Sequence, residues 1–65
     1  MYRYWLTLRP AMPGAIPTKG LEKVVNYATR TYEGCIGHNV WGYVEYSRQL
    51  SEADVDGHDL IEDRT

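Results

Sequence analysis

Phenylalanine is absent from this 65-residue chain, and cysteine occurs once. A single thiol, Cys35, cannot close an internal disulfide, so the covalent staple that supports many very small domains is excluded. No stretch approaches the ~20 apolar residues that span a bilayer. Met1 to Leu8 lacks the apolar run of a secretory signal. No membrane role is expected, and one free thiol fits a reducing cytoplasm. The phosphate-cradling patterns GxxxxGK[ST] and GxGxxG are missing, as are repeats and low-complexity segments. A strong excess of one charge is lacking too. The net charge is −2, with +3 over residues 1–50 and −5 over residues 51–65. Sequence-specific nucleic-acid binding calls for a strong basic face and is not expected. The acidic run reads as a solvated tail.

Metal and nucleophile chemistry are equally thin. Cys35 and His38 have ligand spacing, with His58 or Asp59 as the remaining donors, but a structural zinc site normally takes four good ligands in spaced pairs. The same Cys and His as nucleophile and base would lack a group to orient the imidazole. A chain of this length also leaves little room for a water-excluding pocket. No catalytic residue, metal or cofactor is assigned, and the chain is not expected to be an enzyme.

What is present is aromatic and β-branched. Six Tyr and two Trp combine apolar area with a polar tip, which suits half-wet recognition surfaces as well as ordinary packing. The densest such run is Asn39–Ser47, NVWGYVEYS. Alternation puts Val40, Gly42, Val44 and Tyr46 on one face and Trp41, Tyr43, Glu45 and Ser47 on the other, and large apolar groups on both faces predict a central strand. Tyr2–Leu8 alternates in the same way, with Tyr2, Tyr4, Leu6 and Leu8 opposed to Arg3, Trp5, Thr7 and Arg9. Arg9–Gly20 holds three prolines and two glycines and predicts a stiff loop, with Pro13-Gly14 at the centre of a type II turn. In residues 21–32, Leu21, Val24, Val25 and Ala28 have one-face helical spacing, which predicts a helix near 20–31. Val24, Val25, Thr29 and Thr31 weaken it, and a strand over Lys23–Tyr27 is the alternative. Ser51-x-x-Asp54 has the form of a capping box, opening a helical turn or two before Gly57. Residues 58–62 predict a short edge strand.

The expectation is one α+β domain over residues 1–62 with a loose acidic tail over 63–65. A small three-stranded, mainly antiparallel sheet (2–8, 39–47 and 58–62) packs one face against one helix. The other face, with Trp5, Trp41, Tyr43 and Glu45, is left open for a partner. A domain this small buries only about 60% of its unfolded surface, so a homo-oligomer is expected. A second candidate site is an anion- or nucleotide-binding turn formed by Arg9, Gly14, Ala15, Lys19 and Arg48, its backbone N–H groups lying between cations. In the plain alternatives, the prolines only brace the crossing, the cations stay solvated, and Glu45 makes a cross-strand pair with Arg3 or Arg9.

Two motifs carry a resemblance. Arg9-Pro10-x-x-Pro13-Gly14-Ala15-Ile16-Pro17 and Trp41-Gly42-Tyr43-Val44-Glu45-Tyr46-x-Arg48-x-Leu50-Ser51-x-x-Asp54 resemble small proteins encoded by bacteriophages and integrated mobile elements, mainly of Gram-positive bacteria. The match covers both ends of the domain but not residues 21–38. No settled activity attaches to that group, so no residue role carries over. The resemblance implies a setting in a host cytoplasm, and an accessory protein that binds and inhibits a host defence protein. The alternatives are an oligomer that sequesters a small nucleotide signal, or a structural accessory.

Overall fold

A computed structural model describes residues 1–12 and 14–63. Pro13, and the last two residues of the expected 63–65 tail, lie outside the described residues. The elements are β1 (Tyr2–Leu6), β2 (Leu21–Glu33), β3 (His38–Tyr46), α1 (Glu52–Gly57) and β4 (Leu60–Glu62). They form a four-stranded sheet in the order β2-β3-β1-β4. Each neighbouring pair is antiparallel.

β3 is a central strand, and its pleat follows the sequence: Val40, Gly42, Val44 and Tyr46 are buried, while Trp41, Tyr43 and Glu45 are half-buried. β1 lies beside it with Tyr4 opposite Val44 and Trp5 opposite Tyr43. The core gathers on the Tyr4 side, from Tyr4, Leu6, Val44, Tyr46 and Leu60 of the strands with Ile16 and Leu50 of the connections. Two phenols fasten those connections down. The Tyr46 hydroxyl donates to the Pro17 carbonyl at 2.6 Å, and the Leu50 N–H donates to the Tyr4 hydroxyl at 2.8 Å.

The fold corrects the helix expected near 20–31: residues 21–31 are strand, and the alternative strand over Lys23–Tyr27 is the reading that holds. β2 runs for 13 residues and makes the sheet four-stranded where three strands were expected. The physical reason lies in two irregularities. The ladder with β3 shifts between Leu21 and Lys23 and again between Asn26 and Thr31. Each shift breaks the period-2 alternation, and the broken pattern leaves Leu21, Val24, Val25 and Ala28 at helix-like spacing. The β-branched residues are the truer signal, because a long neighbouring strand was there to pair with.

No helix covers the sheet in the place expected. The proline loop and the segment after β3 cover the Tyr4 face instead. Asn26 pins the loop by a two-way amide pairing, accepting from Ala11 N–H at 2.9 Å and donating to Ala11 carbonyl at 3.3 Å. Within the loop, Ala15 N–H donates to Met12 carbonyl at 2.9 Å, and Gly14 has φ +82°. Both fit the Gly14 position of the type II turn read from the sequence, whose Pro13 lies outside the described residues. Of the expected capping box, the N-cap bond forms, with Ser51 Oγ accepting from Asp54 N–H at 3.2 Å. α1 is only six residues long. Asp63, assigned to the tail, donates its N–H to the Arg3 carbonyl at 2.9 Å.

Burial holds the phenols of Tyr4, Tyr46 and Tyr27 above the ordinary tyrosine value. At Tyr4 the Leu50 N–H partly opposes this. The folded state thus binds the phenolic proton more tightly than the unfolded chain does. This contribution is fully present below the ordinary tyrosine pKa of about 10 and is lost as pH rises through the raised folded values. Denaturant titrations should therefore show no loss from the phenols between about pH 7 and 9 and a progressive fall above about pH 10, followed in parallel by phenolate absorbance.

Candidate interaction face

The face opposite the core begins with a cross-strand pair. Arg3 and Glu45 are register partners, and both Arg3 Nε and Nη2 donate to Glu45 Oε2, at 3.0 and 2.7 Å. Of the two arginines expected across from Glu45, Arg3 is the one that pairs. The Glu45 hydrogen bond, only partly opposed by desolvation, raises the Arg3 pKa and keeps the guanidinium charged. That guanidinium lies over the Tyr43 ring at 4.2 Å and near the Trp5 ring at 5.8 Å. A cation–π contact at such a site is worth ~0.5–1 kcal/mol, and an exposed ion pair adds about as much at most. Their main effect is to hold the guanidinium over an aromatic ring.

Tyr43 is the hub. Trp5 meets it edge-on at 5.5 Å between centroids and Tyr27 at 6.4 Å. Three strands contribute, since Trp5 and Arg3 come from β1, Tyr43 and Glu45 from β3 and Tyr27 from β2. Tyr27 escapes a sequence reading that places it in a helix. Its aromatic, β-branched surroundings were the available signal. The chain's covering segments, through Ile16, Leu50 and Val55, pack on the other side of the sheet, so Tyr43, Tyr27, Arg3 and Glu45 remain half-buried. Burial differs among the four expected partner-binding residues. Trp5 is only 4% exposed, and Trp41 packs against the core cluster. Trp41, Tyr43 and Glu45 are all half-buried, and of these Tyr43 and Glu45 are the two joined to Arg3.

Trp5 carries an unusual cost. Its Nε1 is buried and has no hydrogen-bond partner among the described residues. A buried orphan donor costs about 1–3 kcal/mol. Trp5→Phe, which keeps an aromatic ring and removes the donor, should leave the urea midpoint unchanged or raised. Trp5→Ala should lower stability by about 3–5 kcal/mol.

The residues of the expected anion turn are placed differently. Ala15 N–H is spent on Met12. Arg48 Nε donates to the Lys19 carbonyl at 2.9 Å, and Arg48 Nη2 lies 4.0 Å from Asp54 Oδ2, so its guanidinium straps two segments together. Arg9 and Ala15 border a cavity of about 10 Å³, the size of one water. Gly14 and the Lys19 side chain are exposed.

Cys35 sits exposed in the β2–β3 turn. Its N–H donates to Glu33 Oε1 at 3.1 Å, and a hydrogen bond to the same Glu33 pushes the thiol pKa up, the opposite of nucleophile activation. His38 Nδ1 lies 2.6 Å from its neighbour's carbonyl, Asn39 O. Among the described residues no group of three or more His, Cys, Asp or Glu could hold a metal ion, and no helix is long and apolar enough to cross a membrane.

No curated protein and no solved structure matches the chain. A family model described as "Defence against restriction A C-terminal" matches residues 1–65. The match is consistent with the phage and mobile-element setting that the sequence motifs implied, and it ties the chain to defence against restriction. The match spans the whole chain, and the chain belongs to the Defence against restriction A C-terminal family.

Proposed function

We propose that the chain acts against restriction as a binding protein, seating its Tyr43 face on a host protein of the restriction apparatus and inhibiting it. One observation carries this reading: the Arg3 guanidinium held over the Tyr43 ring and hydrogen-bonded to Glu45, with Tyr27 beside it and all four side chains half-buried. Tyr and Arg are over-represented among residues that dominate binding energy, because they bring large rigid area and directed hydrogen bonds at low entropic cost. The Glu45 pairing pre-organises Arg3 before any partner arrives, which lowers the cost of association. Binding, and not catalysis, is the chemistry this face offers.

The alternative of nucleotide sequestration has less behind it. Drug-sized ligands occupy cavities of roughly 300–1,000 Å³, whereas the cavity beside Arg9 is far smaller, and Arg48 is engaged with the Lys19 carbonyl.

The test is capture of a purified host restriction enzyme on immobilised protein. Wild type should retain it, and Tyr43→Ala should weaken retention about thirtyfold or more, the size of a binding hot spot. Equal retention by wild type, Tyr43→Ala and Arg3→Ala would remove this face from the account.

A further inference from the structure

β2 is an edge strand, and at 13 residues it is more than twice the mean strand length of about 5–6. Edges of that length are normally blunted or paired, because their outer backbone groups are a template for another strand. This one is not short, and although Asn26 holds the proline loop beside it, no strand of the chain pairs with its outer side. Two of the chain's exposed large apolar side chains, Val24 (42%) and Tyr32 (64%), stand on it, and a third, Met12 (55%), lies beside it. Met12 and Val24 share the lining of an apolar depression of about 260 Å³. The ladder with β3 also skips from Asn26 to Thr31, so residues 27–30 have no register partner on their inner side.

From these observations we infer that β2 docks on β2 of a second copy of this chain, antiparallel about a twofold axis at Ala28. The choice of occupant and register rests on charge and shape complementarity. An antiparallel pairing centred on Ala28 sets Lys23 opposite the partner's Glu33 and Glu33 opposite the partner's Lys23. The same register sets Val24 opposite the partner's Tyr32, twice by symmetry. Two opposite-charge pairs and two aromatic–β-branched pairs are the combinations that stabilise cross-strand neighbours. The most exposed aromatic ring on β2 is thereby brought to the strand position that borders the Met12–Val24 depression. The small Ala28 falls on the axis, where two bulged segments must pass closely. A twofold contact of this kind is self-complementary and closes, so it ends at a dimer and does not propagate. Arg3, Tyr43 and Glu45 stand on β1 and β3, away from this contact, while Tyr27 of the same face borders it.

The test combines mass measurement over a concentration series with one cross-link. Wild type should dimerise. Lys23→Glu alone and Glu33→Lys alone each place like charges opposite one another twice, and each should weaken the dimer about tenfold. The double variant Lys23→Glu/Glu33→Lys should restore it. Ala28→Cys in a Cys35→Ser background should form a covalent dimer on mild oxidation, while Cys35→Ser alone should not. A protein that is monomeric at every concentration would overturn the inference. A dimer indifferent to both charge reversals, or an Ala28→Cys variant that stays uncrosslinked, would do so as well. Circular dichroism of each variant excludes unfolding as the cause.

Discussion

Gly42→Ala is expected to unfold the protein or to lower its thermal midpoint by about 10 °C or more. Gly42 has φ +142°, a conformation that L side chains rarely adopt. A Cβ there would lie 2.0 Å from the Val25 carbonyl oxygen and 3.0 Å from Asn26 Cα. Both obstacles are backbone, so no side chain can rotate away; β2 and β3 would have to separate. Backbone strain of this kind costs about 1–3 kcal/mol, and forced overpacking about as much again. Small domains have total stabilities near the low end of roughly 5–15 kcal/mol, and 1 kcal/mol shifts the midpoint of a domain this size by about 4–8 °C. The position is also where the ladder breaks, since Asn26 faces Gly42 and the next paired residue on β2 is Thr31. Gly34→Ala is the control, because a Cβ at Gly34 meets nothing within 4 Å. It should melt within about 2–4 °C of wild type, as surface changes do. An unchanged midpoint for Gly42→Ala would mean that β2 does not approach β3 this closely.

Removing the Tyr4 ring should have an effect of similar size. Tyr4 is fully buried and meets Tyr46 edge-on at 5.9 Å between centroids. Its hydroxyl accepts the Leu50 N–H, which ties the segment after β3 onto the core. Tyr4→Ala should cost about 3–5 kcal/mol for the cavity and leave that N–H buried without its acceptor. Tyr4→Phe separates the two parts. It keeps the ring and should cost about 1–3 kcal/mol, the penalty for an orphaned buried donor. Urea titrations of the three proteins read both differences. If Tyr4→Phe matches wild type, the hydroxyl does not anchor this segment.

The sheet's centre was legible in the sequence because nothing disturbs it. β3 alternates without interruption from Val40 to Tyr46, so each face could be assigned residue by residue. β1 and the Ser51 cap follow equally local rules. β2 was not legible, because its two irregularities are set by the partner strand. The residues 27–30 that the ladder skips have no mark of their own in the sequence, and the glycine that permits the close approach stands on β3, not β2. The candidate face divided along the same line. Arg3 opposite Glu45, and Tyr43 beside them, follow from the alternation of two readable strands. Tyr27 arrives from the strand that was misread. The pairing of Asn26 with Ala11 links β2 to a distant loop, and no periodicity carries such a contact. The anion-turn residues fared differently for a local reason: their types suit anion binding, but Ala15 N–H and the Arg48 guanidinium are already engaged with the chain's own carbonyls.

The central claim is that a pre-organised Arg–Tyr face on an otherwise ordinary small sheet carries the activity against restriction. The most direct measurement is the survival of unmodified DNA entering a restricting host that expresses the protein. It should be made with wild type, Tyr43→Ala and Arg3→Ala, and with Glu52→Gln on α1 as the control. Wild type and Glu52→Gln should protect the DNA, while Tyr43→Ala and Arg3→Ala should lose most of that protection yet remain folded and soluble. Folded Tyr43→Ala and Arg3→Ala proteins that protect as well as wild type would contradict the account.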